Sequence, residues 1–447
     1  MKYIKPGRRG AFPAALVLVA LYAVIRSLGL PEPLLMVWTV AAAVASAIAP
    51  VAGLTLLAAL GPFVGAVEDD GRITAVPFLL AGTGIGGLVG LASASARATL
   101  RPVFRRAAPW ALPAGVLLAG TALGVARSWL AFGPERGGAA AELWVPGIGG
   151  GLTVLFVSAL VALLGERRPV VVLAGSITAA AALSMADLWT SGAVNATAVG
   201  WLLHDQIDLT RLLGIILAPN AAAAIYGVGL AVAAAAVVWC ADQRLRILAT
   251  GTAAICGLAL ALTFSRSAMI AVAIGALLIG WNRARWRGVG AALSVSIAAA
   301  TAVVLLTNGD LVRDVPAIAD QQRIDAWRGS LRMWLDSPLV GHGFRSFEWL
   351  HRPPYGSILD APHNEWLRFF AEEGLFVGLA GLVFAVVVPV TLVRTRGGYL
   401  PAAAAATAAG VFVMACFNNP FLYTQVNVPT FLVIGTGLGV ALARAEP

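Results

Sequence analysis

Charge is what this sequence has least of. Only 12% of its 447 residues are Asp, Glu, Lys or Arg, about half the share of a soluble domain. Cysteine is scarce as well. Cys240, Cys256 and Cys416 all fall inside apolar runs, so neither a disulfide framework nor a thiolate metal site is indicated. Histidine occurs four times, at His204, His342, His351 and His363, with no His-x3-His pair and no cysteine nearby, which argues against a metal centre. An Asp-x-Asp run, a Walker-type phosphate loop and a Gly-x-Ser-x-Gly elbow are all missing. Nothing repeats at a fixed period, and the only biased segments are Ala-rich and apolar.

What the chain does have is hydrophobic length. Apolar residues make up 59% of it and the mean hydropathy is +0.85. Apolar runs of membrane-spanning size recur at roughly 11–30, 34–50, 52–67, 73–95, 108–130, 147–165, 169–188, 212–239, 247–264, 267–281, 288–307, 368–393, 399–417 and 425–443. The fold expected is therefore an all-α, polytopic integral membrane protein of about 12–14 transmembrane helices. The count is 12 where the short second and third runs form a re-entrant pair. The first run lacks a small-residue cleavage site and is read as a retained helix.

The net charge of +9 would suit nucleic acid, but its distribution points elsewhere. More than half of the basic residues lie on alternate short loops: Lys2 to Arg9, Arg97 to Arg106, Arg167–Arg168, Arg244–Arg246, Arg283 to Arg287, Arg394–Arg396 and Arg444. The positive-inside rule makes those loops and both termini cytoplasmic. The charge is a topology signal, and no nucleic-acid partner is implied. All four histidines and the long polar insertion Asn308 to Pro362 then face the periplasm. Four regions are expected: an N-terminal bundle, 1–200; helices carrying arginine motifs, 201–307; a periplasmic cap, 308–367; and C-terminal helices, 368–447.

Five stretches on that face stand out. Thr210 to Asn220 enters a span with Arg211 at its boundary and Asn220 some three turns further in, beside a kinking Pro219. Arg211 also reads as a plain interfacial anchor. Leu262 to Ile270 puts Arg266 in a tight hairpin turn, where a guanidinium is costly unless it meets an anion or carbonyl oxygens. Gln322 to Asp336 is an amphipathic helix with Arg328 and Arg332 on one face and Ile324, Trp327, Leu331 and Trp334 on another, suited to a membrane surface or a cavity cover. Ser337 to Phe347 carries Gly341 and Gly343, which permit a tight turn or a close approach. Asp360 to Gly374 places His363 where the insertion becomes a helix, with Pro362 in the first turn and His363, Trp366, Leu367 and Phe370 on one face. Glu68, Asp69 and Asp70 read as a solvated loop tip or a cation cluster.

A histidine and several arginines at a membrane–water interface suit one reaction type well. Displacing a lipid diphosphate from a sugar's anomeric carbon needs a base for the attacking hydroxyl and fixed positive charge for the departing pyrophosphate. Arginine's planar fork binds phosphate oxygens and stays charged, so no cofactor and no metal are called for. A histidine near its ordinary pKa can take the proton. Asp325 and Glu365 are further candidates for the base.

The chain resembles the bacterial O-antigen ligase and polymerase superfamily. The resemblance rests, in order, on Arg211 with Pro219-Asn220, on Thr263-Phe-Ser-Arg266-Ser267, on Asp336-Ser-Pro-Leu-Val-Gly-x-Gly-Phe-x-x-Phe347, and on His363-Asn364-x-x-Leu367 with Gly374 ten residues beyond the histidine. It covers about residues 205–380. The ligases' Arg-x3-Leu element is met loosely, since Ile215 stands at the leucine position. The resemblance implies a GT-C-like fold and a metal-independent, inverting transfer from undecaprenyl diphosphate. It makes His363 the base, gives the diphosphate to Arg211 and Arg266 with Arg328 or Arg332 as a third cation, and puts Asn220, Gly341, Gly343, Asn364 and Gly374 around the site. The acceptor would be lipid A–core for a ligase or another lipid-linked glycan for a polymerase. A protein O-oligosaccharyltransferase, a transporter of lipid-linked sugar and a structural subunit are the remaining readings. A transporter would carry its charge near the bilayer midplane.

Overall fold

The computed structural model describes residues 44, 46–63, 80, 82–87, 94–191, 219–263, 265–281, 315–351, 355–357, 359–395 and 398–444. Twelve helices are named here in chain order: α1 Pro50–Leu60, α2 Ala94–Trp144, α3 Gly150–Leu163, α4 Arg168–Ser191, α5 Pro219–Trp239, α6 Gln243–Leu262, α7 Arg266–Trp281, α8 Val315–Asp336, α9 Ser346–Leu350, α10 Glu365–Arg394, α11 Tyr399–Met414 and α12 Thr424–Arg444. No strand occurs among the described residues. Six helical stretches there are long and apolar enough to cross a membrane: Arg105–Leu163, Arg168–Ala186, Pro219–Trp239, Gln243–Leu262, Glu365–Arg394 and Thr424–Arg444. The protein is a multi-pass, all-α membrane protein. The expected runs 11–30 and 288–307, the acidic tip Glu68–Asp70, Arg211 and His204 lie outside the described residues.

α12 is the centre of the bundle, buried without interruption from Gln425 to Ala441. Small residues let its neighbours approach closely. A Cβ on Gly435 would sit 2.3 Å from the Leu155 carbonyl oxygen, and one on Gly439 would sit 2.2 Å from that of Ala159. Only glycine permits this backbone contact with α3, the packing by which membrane helices associate without a hydrophobic drive. Local chemistry sets other boundaries. Asp242 caps α6 by accepting the Arg244 N–H at 2.8 Å, and Asn364 caps α10 by accepting the Leu367 N–H at 3.1 Å.

Three expectations change. Residues 133–143, which lie between the expected runs 108–130 and 147–165, are mostly helical: α2 breaks at Gly133 (φ 85°) and continues to Trp144. α10 begins at Glu365, so Pro362 and His363 precede it and His363 does not share a helical face with Trp366 and Phe370. Its φ of 49° is left-handed, a conformation the helix cannot contain. In α8 the buried face is Ala326, Gly329, Ser330 and Met333, while Ile324 and Leu331 are exposed and Trp327 and Trp334 half-buried. Small side chains let α8 lie close to the chain beside it, with the Tyr355 carbonyl oxygen 3.2 Å from where a Gly329 Cβ would be. The large apolar residues therefore turn outward.

Candidate functional site

Two turns, one carrying His363 and one carrying Arg266, are tied to a single segment. The Glu365 N–H donates to the Ala415 carbonyl at 2.8 Å, and Asn364 Nδ2 donates to the Cys416 carbonyl at 3.0 Å. Two residues beyond Cys416, Asn418 reaches the other turn. Ser265 Oγ donates to Asn220 Oδ1 at 2.9 Å, and Asn220 Nδ2 donates to Asn418 Oδ1 at 3.0 Å. Asn418 Nδ2 donates to Ser267 Oγ at 2.9 Å, and the two serine hydroxyls lie 3.4 Å apart. These four side chains close a ring joining the starts of α5 and α7 to the segment between α11 and α12. Asn220 thus has the partner its depth requires.

Arg266 begins α7 between the two ring serines. It is exposed, and no hydrogen bond or ion pair engages its guanidinium among the described residues. A fixed cation with free donors at a helix start can receive an anion. His363 is half-buried. Burial lowers its pKa below the ordinary histidine value, the positive charge of Arg323 lowers it further, and Asp360 opposes both. The imidazole is therefore neutral near pH 7 and able to accept a proton.

Behind His363, the first turns of α10 form a buried ionic core. Arg368 pairs with Glu365 and, at 3.3 Å, with Glu372. Its guanidinium also lies 5.1 Å from the Phe344 ring centre and 5.4 Å from that of Phe369. The Glu372 carboxylate accepts the backbone N–H of Arg345 at 3.0 Å and of Phe347 at 3.2 Å. Its carbonyl accepts the Gly343 N–H at 2.7 Å. Residues 337–347 thereby form a strap across α10 where that helix breaks at Gly374 (φ 82°). Gly341 and Gly374 both have positive φ, and Cβ atoms there would lie 2.2 Å from the Glu372 carbonyl oxygen and 2.4 Å from that of Leu339. On the far side, Ser128 Oγ donates to the Phe344 carbonyl at 2.7 Å. These glycines seat backbone against backbone.

The expected site residues thus fall into groups. Asn220, Arg266, His363 and Asn364 are brought to one connected region, whereas Gly341 and Gly343 belong to the strap and Gly374 to the break in α10 on which it docks. Arg328 is exposed and paired with Asp325 at 3.3 Å, and Arg332 is exposed on the same helix. The α8 cation whose field reaches His363 is Arg323. His342 and His351 bond the Met333 and Glu348 carbonyls at 2.9 and 2.7 Å, which are structural duties. Among the described residues no three His, Cys, Asp or Glu side chains gather as metal ligands.

Asn418, Arg323 and the pairing of Glu365, a candidate base, with Arg368 and Glu372 in a buried core were not anticipated from the sequence. Signals for two existed: adjacent asparagines between apolar runs, and charges at i, i+3 and i+7 in an apolar stretch. Below the ring, α5, α7 and α11 leave an apolar slot of about 80 Å³ lined by Ala224, Gly227, Ala268, Ala271, Gly275 and Met414 among others.

Residues 251–383 match a family model described as O-antigen ligase. The matched stretch runs from within α6 to within α10 and contains the Arg266 turn, α8, the strap and the His363 turn. A search of curated proteins gives no match. Over those residues the chain is similar to the O-antigen ligase family.

Proposed function

We propose that this protein is a membrane glycosyltransferase that moves a glycan from undecaprenyl diphosphate to an acceptor hydroxyl on the periplasmic face of the inner membrane, as an O-antigen ligase acting on lipid A–core. The observation that carries the reading is the Ala415–Asn419 segment. It bonds on one side to the turn of a neutral, half-buried histidine and on the other to the turn of an exposed arginine.

In this reading His363 takes the proton of the acceptor hydroxyl as its oxygen attacks the anomeric carbon. The carbon–oxygen bond to the diphosphate breaks with inversion, and undecaprenyl diphosphate leaves. Arg266 receives the charge that develops on the departing phosphate, the point at which fixed donors lower the barrier most. Arg211 joins it in this proposal, and Arg323, whose charge acts on His363, replaces Arg328 or Arg332 as the further cation. The apolar slot next to the Arg266 turn suits part of an isoprenoid chain. Both termini are cytoplasmic in this arrangement. Ile215 stands where the ligase element has leucine, and a second reading, a polymerase that extends one lipid-linked glycan with another, uses the same donor chemistry.

The test uses purified full-length protein in detergent, with undecaprenyl-diphosphate glycan and lipid A–core offered together and separately, with and without EDTA. Modification of lipid A–core that depends on His363 and survives EDTA supports the ligase. Longer lipid-linked chains with untouched lipid A–core support the polymerase. Transfer that persists unchanged in His363→Ala refutes the catalytic assignment.

A further inference from the structure

The hydrogen-bond ring has a consequence for Arg266. Ser265 and Ser267 flank it in sequence, and both turn their hydroxyls into the ring. The arginine between them is left facing outward. Asn418 is the member that holds the ring closed, because its oxygen accepts from Asn220 and its nitrogen donates to Ser267. It is 8% exposed and Ser265 is 2% exposed, so a ring group that loses its partner has little water to replace it. Turning the Asn418 amide over by itself would set its NH₂ against that of Asn220, so the members of the ring orient together.

The same short segment holds the other half of the site. The Ala415 and Cys416 carbonyls receive the first backbone N–H of α10 and the Asn364 amide, immediately after His363. Residues 220 and 418 lie 198 positions apart in the chain, and residues 364 and 416 lie 52 apart. Chain connectivity alone would leave the α7 start and the α10 start free to shift relative to one another.

We propose that Asn418 is a positioning residue: it bonds the Arg266 turn to the segment Ala415–Asn419, whose Ala415 and Cys416 carbonyls hold the start of α10, and so keeps the Arg266 turn in register with the His363 turn. The inference rests on the diphosphate-holding role proposed above for Arg266. Displacing a charged group by an ångström from its working geometry costs about a hundredfold in rate, so a strut between a base and a cation matters more than its few hydrogen bonds suggest.

The experiment uses the full-length protein in detergent as wild type, Asn418→Ala, Asn418→Asp, Arg266→Ala and the Asn418→Ala/Arg266→Ala double variant. A carboxyl at 418 can still bridge Asn220 and Ser267, because the Ser267 hydroxyl can donate where it formerly accepted. Amide hydrogen exchange in the first turns of α7 and α10 should accelerate about tenfold in Asn418→Ala and slow again in Asn418→Asp, with α3 and α12 unchanged. With undecaprenyl-diphosphate glycan as donor, Asn418→Ala should lower kcat/KM about tenfold in the wild-type background and less than about twofold when Arg266 is already alanine.

Unchanged exchange, or exchange accelerated evenly over all helices, would overturn the strut. Effects of Asn418→Ala and Arg266→Ala that simply multiply would overturn the claim that one acts through the other. Should the wild-type protein transfer no glycan from the lipid diphosphate, the donor assignment fails by itself. The exchange measurement then still decides whether Asn418 holds the two turns together.

Discussion

Gly374→Ala is the substitution that tests the architecture of the site most directly. Gly374 breaks α10 at φ 82°, and the strap docks at that break: the Leu375 N–H donates to the Pro338 carbonyl at 2.8 Å. An alanine there meets three costs. A left-handed backbone with a Cβ costs about 1–2 kcal/mol. The new Cβ would lie 2.4 Å from the Leu339 carbonyl oxygen and 2.6 Å from the Val340 nitrogen, and such overpacking costs about 1–3 kcal/mol. Moving the strap away to relieve it gives up the Leu375 hydrogen bond, about 1 kcal/mol. The total is roughly 3–6 kcal/mol by these contributions.

Gly356→Ala is the control. Gly356 has φ 73° and is exposed, and its Cβ would meet nothing within 4 Å among the described residues, so only the backbone cost of about 1–2 kcal/mol remains. SDS titration of the purified protein in mixed micelles, followed by tryptophan fluorescence, compares them. Trp334 stacks edge-on against Phe370 at 5.3 Å and reports on the strap. The expected order of midpoints is wild type, then Gly356→Ala, then Gly374→Ala. Equal midpoints for the two variants would refute the docking of residues 337–347 as the reason for glycine at 374.

The other predictions concern charge. Because burial and Arg323 lower the His363 pKa, transfer should hold its rate down through pH 7 and fall only on the acid side of the ordinary histidine value. Arg323→Gln should move that midpoint upward in a pH profile of kcat/KM, and a midpoint that stays or drops would remove Arg323 from the site. Arg368→Met leaves the Glu365 and Glu372 carboxylates buried without their cation, a loss of about 3–5 kcal/mol. Glu373→Gln changes an oxygen that already lacks a hydrogen-bond partner and should cost under about 1 kcal/mol in the same SDS titration. Arg328→Gln and Arg332→Gln alter exposed groups and should keep kcat/KM within about threefold, whereas Arg266→Ala should lower it about a hundredfold. Equal losses in the donor assay would return the α8 arginines to the diphosphate.

Much of this was legible from the chain. Apolar runs fix helices because a backbone in lipid must satisfy its own hydrogen bonds, and that requirement is local. Arg266 and His363 were legible as charged or ionisable residues at the edges of apolar runs, and Asn220 as an amide within one. The strap glycines were visible too, but as candidates for approaching a ligand and not as seats for α10.

Other features depended on packing. Asn418 meets Asn220 across 198 residues, and helical periodicity reports only neighbours three or four apart. The choice of Arg323 over Arg328 and Arg332 follows from which face of α8 is buried, and that was set by small Ala326, Gly329 and Ser330, not by the large apolar side chains. His363 lies outside the helix because Asn364, not Pro362, makes the cap. The sequence by itself determined that this is an all-α membrane protein and which residue types stand at its helix ends. Only the tertiary structure decided which of those ends meet, because close helix packing depends on shape complementarity between distant segments.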